Sequence, residues 1–378
     1  MELPLAGIRV IEIGQAYAAP LAGMILADMG AEVIKIERPD GGDDARRWGP
    51  PFIDGDALFF HATNRGKKSV VLDIKDAGDV ARLKGLAREA DIVIQNLRGG
   101  IVEEAGIGPD ALMAANPRLI YCNISAFGHQ GPLRHAPGFD PLLQAYAGIM
   151  AQTGRPEDPP TFCAPAINDK ATGMWCVIGA LAALQRRHAT GQGCVIDTSL
   201  FDSAVGWMAS VINGYKHTGQ VPARHGTASN TLTPYQAFPT ADRPIVIAAG
   251  NDRLFVKLAA VMGRPEWSAD PRFINGPTRG ENRLALVALM EEILVTRPRD
   301  HWMRSLEAVG VPCAPVNSIA ELAETEQFAA ADLLRSLPGT DLQVIGLPIA
   351  FDRQRPHPIA DSPRLGAHTA EVPGIPVT

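Results

Sequence analysis

Short β-branched runs alternate with amphipathic stretches through the first half of the chain. Residues 8–13 (IRVIEI) form an apolar run that predicts a buried strand. In PLAGMILADMGA, from Pro20, Leu21, Met24, Ile25 and Met29 share one side of a predicted helix, and Gly30 suits its C-cap. Residues 32–37 (EVIKIE) predict a second strand. Such a strand–helix–strand unit predicts parallel pairing through a right-handed crossover. The rhythm recurs, with strands over 69–73, 91–95 and 119–124 and helices over 77–90 and 111–115. A doubly wound α/β sheet follows.

Beyond residue 126 the pattern changes. Residues 127–160 are rich in Gly and Pro and predict loops. Helices are predicted over 169–187 and 200–216, with a strand over 194–199 between them. Residues 217–233 are polar and irregular, as a domain junction would be. A strand over 245–249, helices over 253–262, 281–295 and 301–309, and strand-like runs over 311–316 and 342–345 complete the reading. The first loop, Gly14-Gln15-Ala16-Tyr17-Ala18-Ala19-Pro20, is not GxGxxG, so nothing points to a dinucleotide.

Composition narrows the function classes. The chain has 378 residues, 46% hydrophobic and 20% charged, with a net charge of −6. That length fits two domains. There is no basic stripe for a nucleic acid partner. No apolar run approaches the roughly 18 residues of a membrane span. The N terminus carries no secretory pattern. Five scattered cysteines without a CxxC read as reduced thiols of a cytoplasmic protein, with no zinc or iron–sulfur site.

Asp169 is the residue with the most chemistry in its surroundings. It stands where the apolar helix body 174–184 begins. One reading is an N-cap, in which the carboxylate accepts a helix-start N–H. The other is a nucleophile, because oriented N–H donors at a helix start stabilise an acyl-transfer oxyanion and a carboxylate can attack a thioester. The residue alone leaves both open.

Five blocks in order resemble the family III (formyl-CoA transferase-like) CoA-transferases. They are LAGIRVIEIGQAYAAPLAGMILADMGAEVIKIERPDGGDDAR, NLRGGIVEEAGIG, SAFGHQGPLRHAPGFDPLLQA, the Asp169 segment with IGALAALQRRHATGQG, and SPRLGAHT. They span nearly the whole chain. The resemblance places the family's nucleophilic aspartate on Asp169 and implies an aspartyl-CoA thioester. CoA thioesters would be substrates, with no permanently bound cofactor. The resemblance also implies CoA contacts at Tyr17 and Ala18 in the first loop and at Arg38 beside the nucleotide. Further contacts fall on Leu72, Asp73, Ile74 and Lys75, on Asn96, Leu97 and Arg98, and on Ala136, Pro137, Gly138 and Phe139 before the nucleophile. Departures include Tyr17 where formyl-CoA transferases carry Gln, Gly99 for the usual Pro, and Glu104 for a basic residue. Their Gly-rich mobile loop is not evident around Ala248-Ala249-Gly250-Asn251-Asp252.

The same fold hosts acyl-CoA racemases. These need two acid/base groups, and Phe139 stands where they carry His. A non-catalytic CoA-binding protein is a third reading. RRWGPPF and RHGTASNTLTPYQAF look like the branch of succinyl-CoA:dicarboxylate transferases, and Arg46 or Arg47 would then meet the acceptor's distal carboxylate. The expected architecture is a Rossmann-like large domain from residues 1–221 and 316–378, with a smaller α+β domain inserted over 222–315. An interlocked homodimer is expected, with an acyl-CoA and a small carboxylic acid as the other partners.

Overall fold

The computed structural model describes residues 3–371. Six parallel strands form the main sheet: β1 (Arg9–Ile13), β2 (Glu32–Glu37), β3 (Lys67–Val71), β4 (Ile92–Gln95), β5 (Ile120–Ser125) and β6 (Cys194–Ser199). Their order is β3-β2-β1-β4-β5-β6, and every pairing is parallel. Strand order therefore reverses between β1 and β4. In open α/β sheets this switch point opens a crevice at the carboxyl ends of the strands.

Alternation along each strand feeds two cores. Val10, Val33, Ile92, Ile94 and Ile120 face helices α1 (Ala18–Asp28) and α5 (Ile167–Thr190). Ile11, Ile34, Val93 and Tyr121 face α2 (Ala77–Arg88) and α3 (Pro109–Ala115). Both faces are covered, which explains why the strands read as nearly continuous apolar runs. Helix α1 meets α5 closely. A Cβ on Gly173 would stand 2.7 Å from the Ala18 carbonyl oxygen, so only glycine permits that approach.

The outer edge of β3 is closed by the end of the chain. Gly66 N–H donates to the carbonyls of Ala360 and Asp361, both at 3.1 Å. Ser69 N–H donates to His368 Nδ1 at 3.1 Å, and His368 N–H returns to the Ser69 carbonyl at 2.9 Å. Val71 N–H donates to Thr369 Oγ1 at 3.0 Å.

Two predictions differ from the structure here. The loop-rich stretch 127–160 contains helix α4 (Asp140–Tyr146) and a helical turn at Ile149–Gln152. Seven residues beginning Asp-Pro are too few to show a helical period. The single helix over 200–216 is two, α6 (Leu200–Trp207) and α7 (Ala209–Thr218), separated at Met208 just after Gly206.

The chain divides into two compact units, residues 3–149, 162–220 and 332–371 on one side and 150–161 and 221–331 on the other. Residues 150–161, 221 and 316–331, expected in the large domain, fall in the smaller unit. Arg224 holds the first stretch there through the Pro156 and Asp158 carbonyls at 2.9 and 2.7 Å, and Glu321 holds the last, accepting from Arg243 at 2.8 Å and pairing with Arg299 at 3.4 Å. Residues 372–378, also assigned to the large domain, lie outside the described residues. The smaller unit holds a three-stranded antiparallel sheet, β7 (Tyr235–Phe238), β8 (Ile245–Ala248) and β9 (Cys313–Pro315), with β8 central. Its core packs helices Asp252–Val261, Arg283–Leu294 and Arg299–Ala308. Among the described residues no helix is long and apolar enough to cross a membrane.

Candidate active site

Two cavities flank the loop that leaves β1 at the switch point. One, about 480 Å³, is lined by Asp169 together with Tyr17, Ala18, Asn96, Arg98 and Ala136 to Phe139. The other, about 460 Å³, is lined by Arg38, Leu72 to Lys75 and Leu97. Gln15 lines both. The residues expected around Asp169 and those expected around the nucleotide thus sort into separate but adjoining spaces. Asn96 ties the loop to the end of β4. Its Oδ1 accepts the Gln15 N–H at 2.9 Å, and its Nδ2 donates to the Gln15 carbonyl at 2.8 Å.

Asp169 does not cap its helix. Helix α5 starts at Ile167, which puts Asp169 in the first turn. The cap comes from 28 residues earlier. Asp140 Oδ2 accepts the N–H of Asn168 at 2.6 Å and of Asp169 at 3.2 Å. Gln144 Nε2 holds the other oxygen of Asp140 and also donates to the Cys163 carbonyl at 3.0 Å. Asp140 is buried, whereas Asp169 is half-buried and faces the cavity. The helix-start donors that sequence reasoning assigned to Asp169 therefore serve Asp140.

This arrangement leaves Asp169 short of stabilisation. Burial, and then the charge of Asp140, push its carboxyl up to about 7. Near neutral pH it is only partly ionised, rather than the fully ionised carboxylate expected from a capping position. The phenol of Tyr17 moves upward as well, through burial and then the charges of Asp169 and Asp140. Tyr17 remains a neutral donor throughout the range in which Asp169 titrates. Its ring packs on Phe59 at 5.1 Å between centroids.

The two arginines proposed for the acceptor lie elsewhere. Arg46 is buried, lines neither cavity and has its donors engaged. Its Nε and Nη2 grip Glu37 at 2.9 and 2.7 Å, Nη1 takes Asp56 at 2.6 Å, and Nη2 also reaches the Pro363 carbonyl at 3.1 Å. Phe60 covers its guanidinium at 3.8 Å. With four of its five N–H donors engaged and its guanidinium enclosed away from both cavities, Arg46 serves ion pairs within the fold. Arg47 is exposed, lines neither cavity and pairs with Asp44 at 2.7 Å.

Sequence reasoning missed three charged groups of the Asp169 cavity, Asp44, Asp140 and Arg134. The Asp-Pro pair at 140–141 is a helix-start signal, but nothing in the spacing shows which helix the carboxylate caps. Arg134 and Arg98 line the cavity without a carboxylate partner among the described residues. Arg134 has a 3.4 Å contact to the Gly131 carbonyl, and Arg98 a 3.3 Å contact to that of His135.

Comparison with known proteins decides the family. The sequence pattern described as CoA-transferase family III matches residues 5–369. The chain belongs to CoA-transferase family III. This CoA-transferase is 38% identical over 368 residues to an acetyl-CoA:oxalate CoA-transferase of Acetobacter aceti, covering 96% of this chain and 93% of the relative. It is 37% identical to a succinate–glutarate CoA-transferase of Agrobacterium fabrum, covering 98% and 94% of the two chains. The crystal structure of a CAIB/BAIF family protein from Brucella suis superposes with a TM-score of 0.88 at 38% identity, over 98% of this transferase and 99% of that chain. The whole fold is therefore shared, both units included.

Proposed function

We propose that this transferase moves CoA from an acyl-CoA donor to a dicarboxylate through an aspartyl-CoA thioester on Asp169. The observation that carries the reading is a half-buried carboxyl with no capping duty, facing a cavity at the switch point and titrating at about 7. An Asp kept for structure would be expected to hold the helix start, and Asp140 already does so.

In the proposed sequence the Asp169 carboxylate attacks the donor's thioester carbon, giving a mixed anhydride and CoA thiolate. The thiolate then attacks the aspartyl carbon of the anhydride, leaving the enzyme thioester and releasing the donor's acid. The acceptor carboxylate reverses both steps and restores Asp169. Each step is an acyl transfer at one carboxyl, which splits a difficult exchange into easier ones. In this reading Tyr17, which lines the same cavity, donates toward charge developing at that carboxyl, and its raised pKa keeps the proton available.

The names of the relatives favour a dicarboxylic acid as acceptor, and Arg134 and Arg98 are the cations available at the Asp169 cavity. A racemase reading is less well served. Phe139 lines the cavity where a proton-transfer His would be needed, leaving Asp169 without an evident partner on the opposite face of a substrate carbon.

The interlocked homodimer also belongs to this reading. Its support is the number of large apolar side chains left exposed in the larger unit, where Leu142, Tyr146, Met174, Trp175, Ile178 and Trp207 are all at least half exposed. Helix α7 buries none of its residues. Large exposed apolar patches mark association surfaces. Light scattering at micromolar concentration tests this, and a monomer would count against it.

The decisive experiment mixes wild-type protein with succinyl-CoA and examines peptides by mass spectrometry. CoA linked to the peptide carrying Asp169, and its replacement by an aspartyl hydroxamate with release of CoA on adding hydroxylamine, supports the mechanism. An active preparation that never forms the adduct rules it out.

A further inference from the structure

The loop shared by the two cavities is held from behind by charge. Ala16 sits at φ 69°, a left-handed conformation unfavourable for any residue with a Cβ. Asp43 Oδ1 accepts its N–H at 2.9 Å. Lys35 Nζ donates to the Gly14 carbonyl at 2.7 Å and lies 2.9 Å from both Glu12 Oε1 and Asp43 Oδ2. Lys67 Nζ meets Glu12 Oε2 at 2.7 Å and donates to the Pro20 carbonyl in the first turn of α1, also at 2.7 Å. The side chains of Glu12, Lys35, Asp43 and Lys67 are wholly enclosed. Helix α1 is cut away to admit them, since a Cβ on Gly23 would fall 1.9 Å from Glu12 Oε2.

Two acids and two bases leave this cluster neutral, so attraction can offset the loss of water. Even so, buried ion clusters seldom stabilise more than well-packed apolar groups of the same volume. What they supply is direction, and three of the bonds here end on backbone atoms, the Gly14 carbonyl, the Ala16 N–H and the Pro20 carbonyl. Gly14 and Ala16 flank Gln15, which lines both cavities.

We propose that Asp43 and Lys35 are positioning residues, which hold the Gly14–Ala18 loop in the strained conformation that receives acyl-CoA. The proposal rests on the CoA-transferase reading for its kinetic part only. Asp43→Ala removes the acceptor for Ala16. Asp43→Asn keeps a carbonyl oxygen there but loses the charge facing Lys35. The kcat/KM for acyl-CoA, per folded protein, should fall by about tenfold or more in Asp43→Ala, mainly through KM, and by less in Asp43→Asn. Adding Ala16→Gly to Asp43→Asn should recover part of the loss, because glycine holds φ 69° without penalty. A cluster that served stability alone would show no such rescue.

Amide hydrogen exchange over residues 14–18 reads the same clamp without any transfer. It should quicken in Asp43→Ala and slow again when Ala16→Gly is added to Asp43→Asn. If wild type transfers no CoA, the functional reading falls and the exchange experiment still decides this one. If Asp43→Ala does not fold, the Asp43→Asn pair with and without Ala16→Gly decides it. A loop that stays protected in these variants, or a kcat/KM within about twofold of wild type without rescue, overturns the proposal.

Discussion

Asp169 and Glu37 are two carboxyls in the same unit, both withdrawn from water, with opposite fates. Burial raises both. At Asp169 nothing opposes it, and the charge of Asp140 adds to it, so the carboxyl reaches about 7. At Glu37 the bonds from Arg46, the charge of Lys35 and the hydroxyl of Ser69 overcome burial and hold the carboxyl at about 2. The nearby ammonium groups divide in the same way. Lys35 is raised by Glu12, Asp43 and Glu37 against its burial, whereas burial and the like charge of Lys35 bring Lys67 down to about 8. Enclosure therefore does not by itself decide whether a charge is reactive or inert; the balance of burial, neighbouring charges and hydrogen bonds does. The region around Glu37 is complete in itself, and the region around Asp169 is left open to a ligand.

The comparison breaks most sharply at Asp169. Asp169→Asn preserves shape and should lower turnover by about a thousandfold or more, since the covalent route is lost; steady-state transfer from succinyl-CoA measures it. At the other pole, Arg46→Ala strands Glu37 and Asp56. It should cost about 3–5 kcal/mol of stability in denaturant unfolding, because one partner of a buried pair has gone. An Arg46→Ala protein as stable as wild type would remove the contrast.

The pH profile sharpens it. The nucleophile must be ionised, so kcat/KM for acyl-CoA should rise with pH through about 7. Asp140→Asn removes the repelling charge, and the rise should move to lower pH. Stability carries the opposite sign. Because the folded pKa of Asp169 lies above its unfolded value of 3.8, the stability contributed by the protonated form is present below that value and lost as pH rises through about 7. Asp169→Asn escapes this loss. Its Tm should match wild type near pH 3.5 and exceed it at pH 8. The smallest expected effect is at Arg134. Arg134→Gln should raise KM for a dicarboxylate acceptor by roughly tenfold, about one charge-assisted hydrogen bond, and leave a monocarboxylate unaffected.

The alternation of IRVIEI, EVIKIE and LIYCNI with amphipathic stretches was enough to read the parallel sheet, because both sheet faces are covered and each strand is mostly apolar. The Asp169 position and its companions were legible as ordered motifs. Arg46 was not. An Arg-Arg pair in a polar, Gly-rich stretch looks like surface, and its partners sit nine residues back at Glu37 and 317 residues on at Pro363. Nor was the transfer of the capping role from Asp169 to Asp140. A side chain that caps a helix 28 residues away leaves no periodic trace, and α4 itself is too short to show one.

The closure of β3 by residues 360–371 has a bearing on how the protein is made. A ribosome delivers β1 to β6 long before it delivers the strip that seals the sheet's edge. Until then Gly66, Ser69 and Val71 present open amides, the kind of template on which a second nascent chain can pair. The larger unit thus becomes self-contained only once residues 360–371 have been made. A stop codon just ahead of residue 360 would spare every residue around Asp169 and still yield a sticky, unfinished sheet.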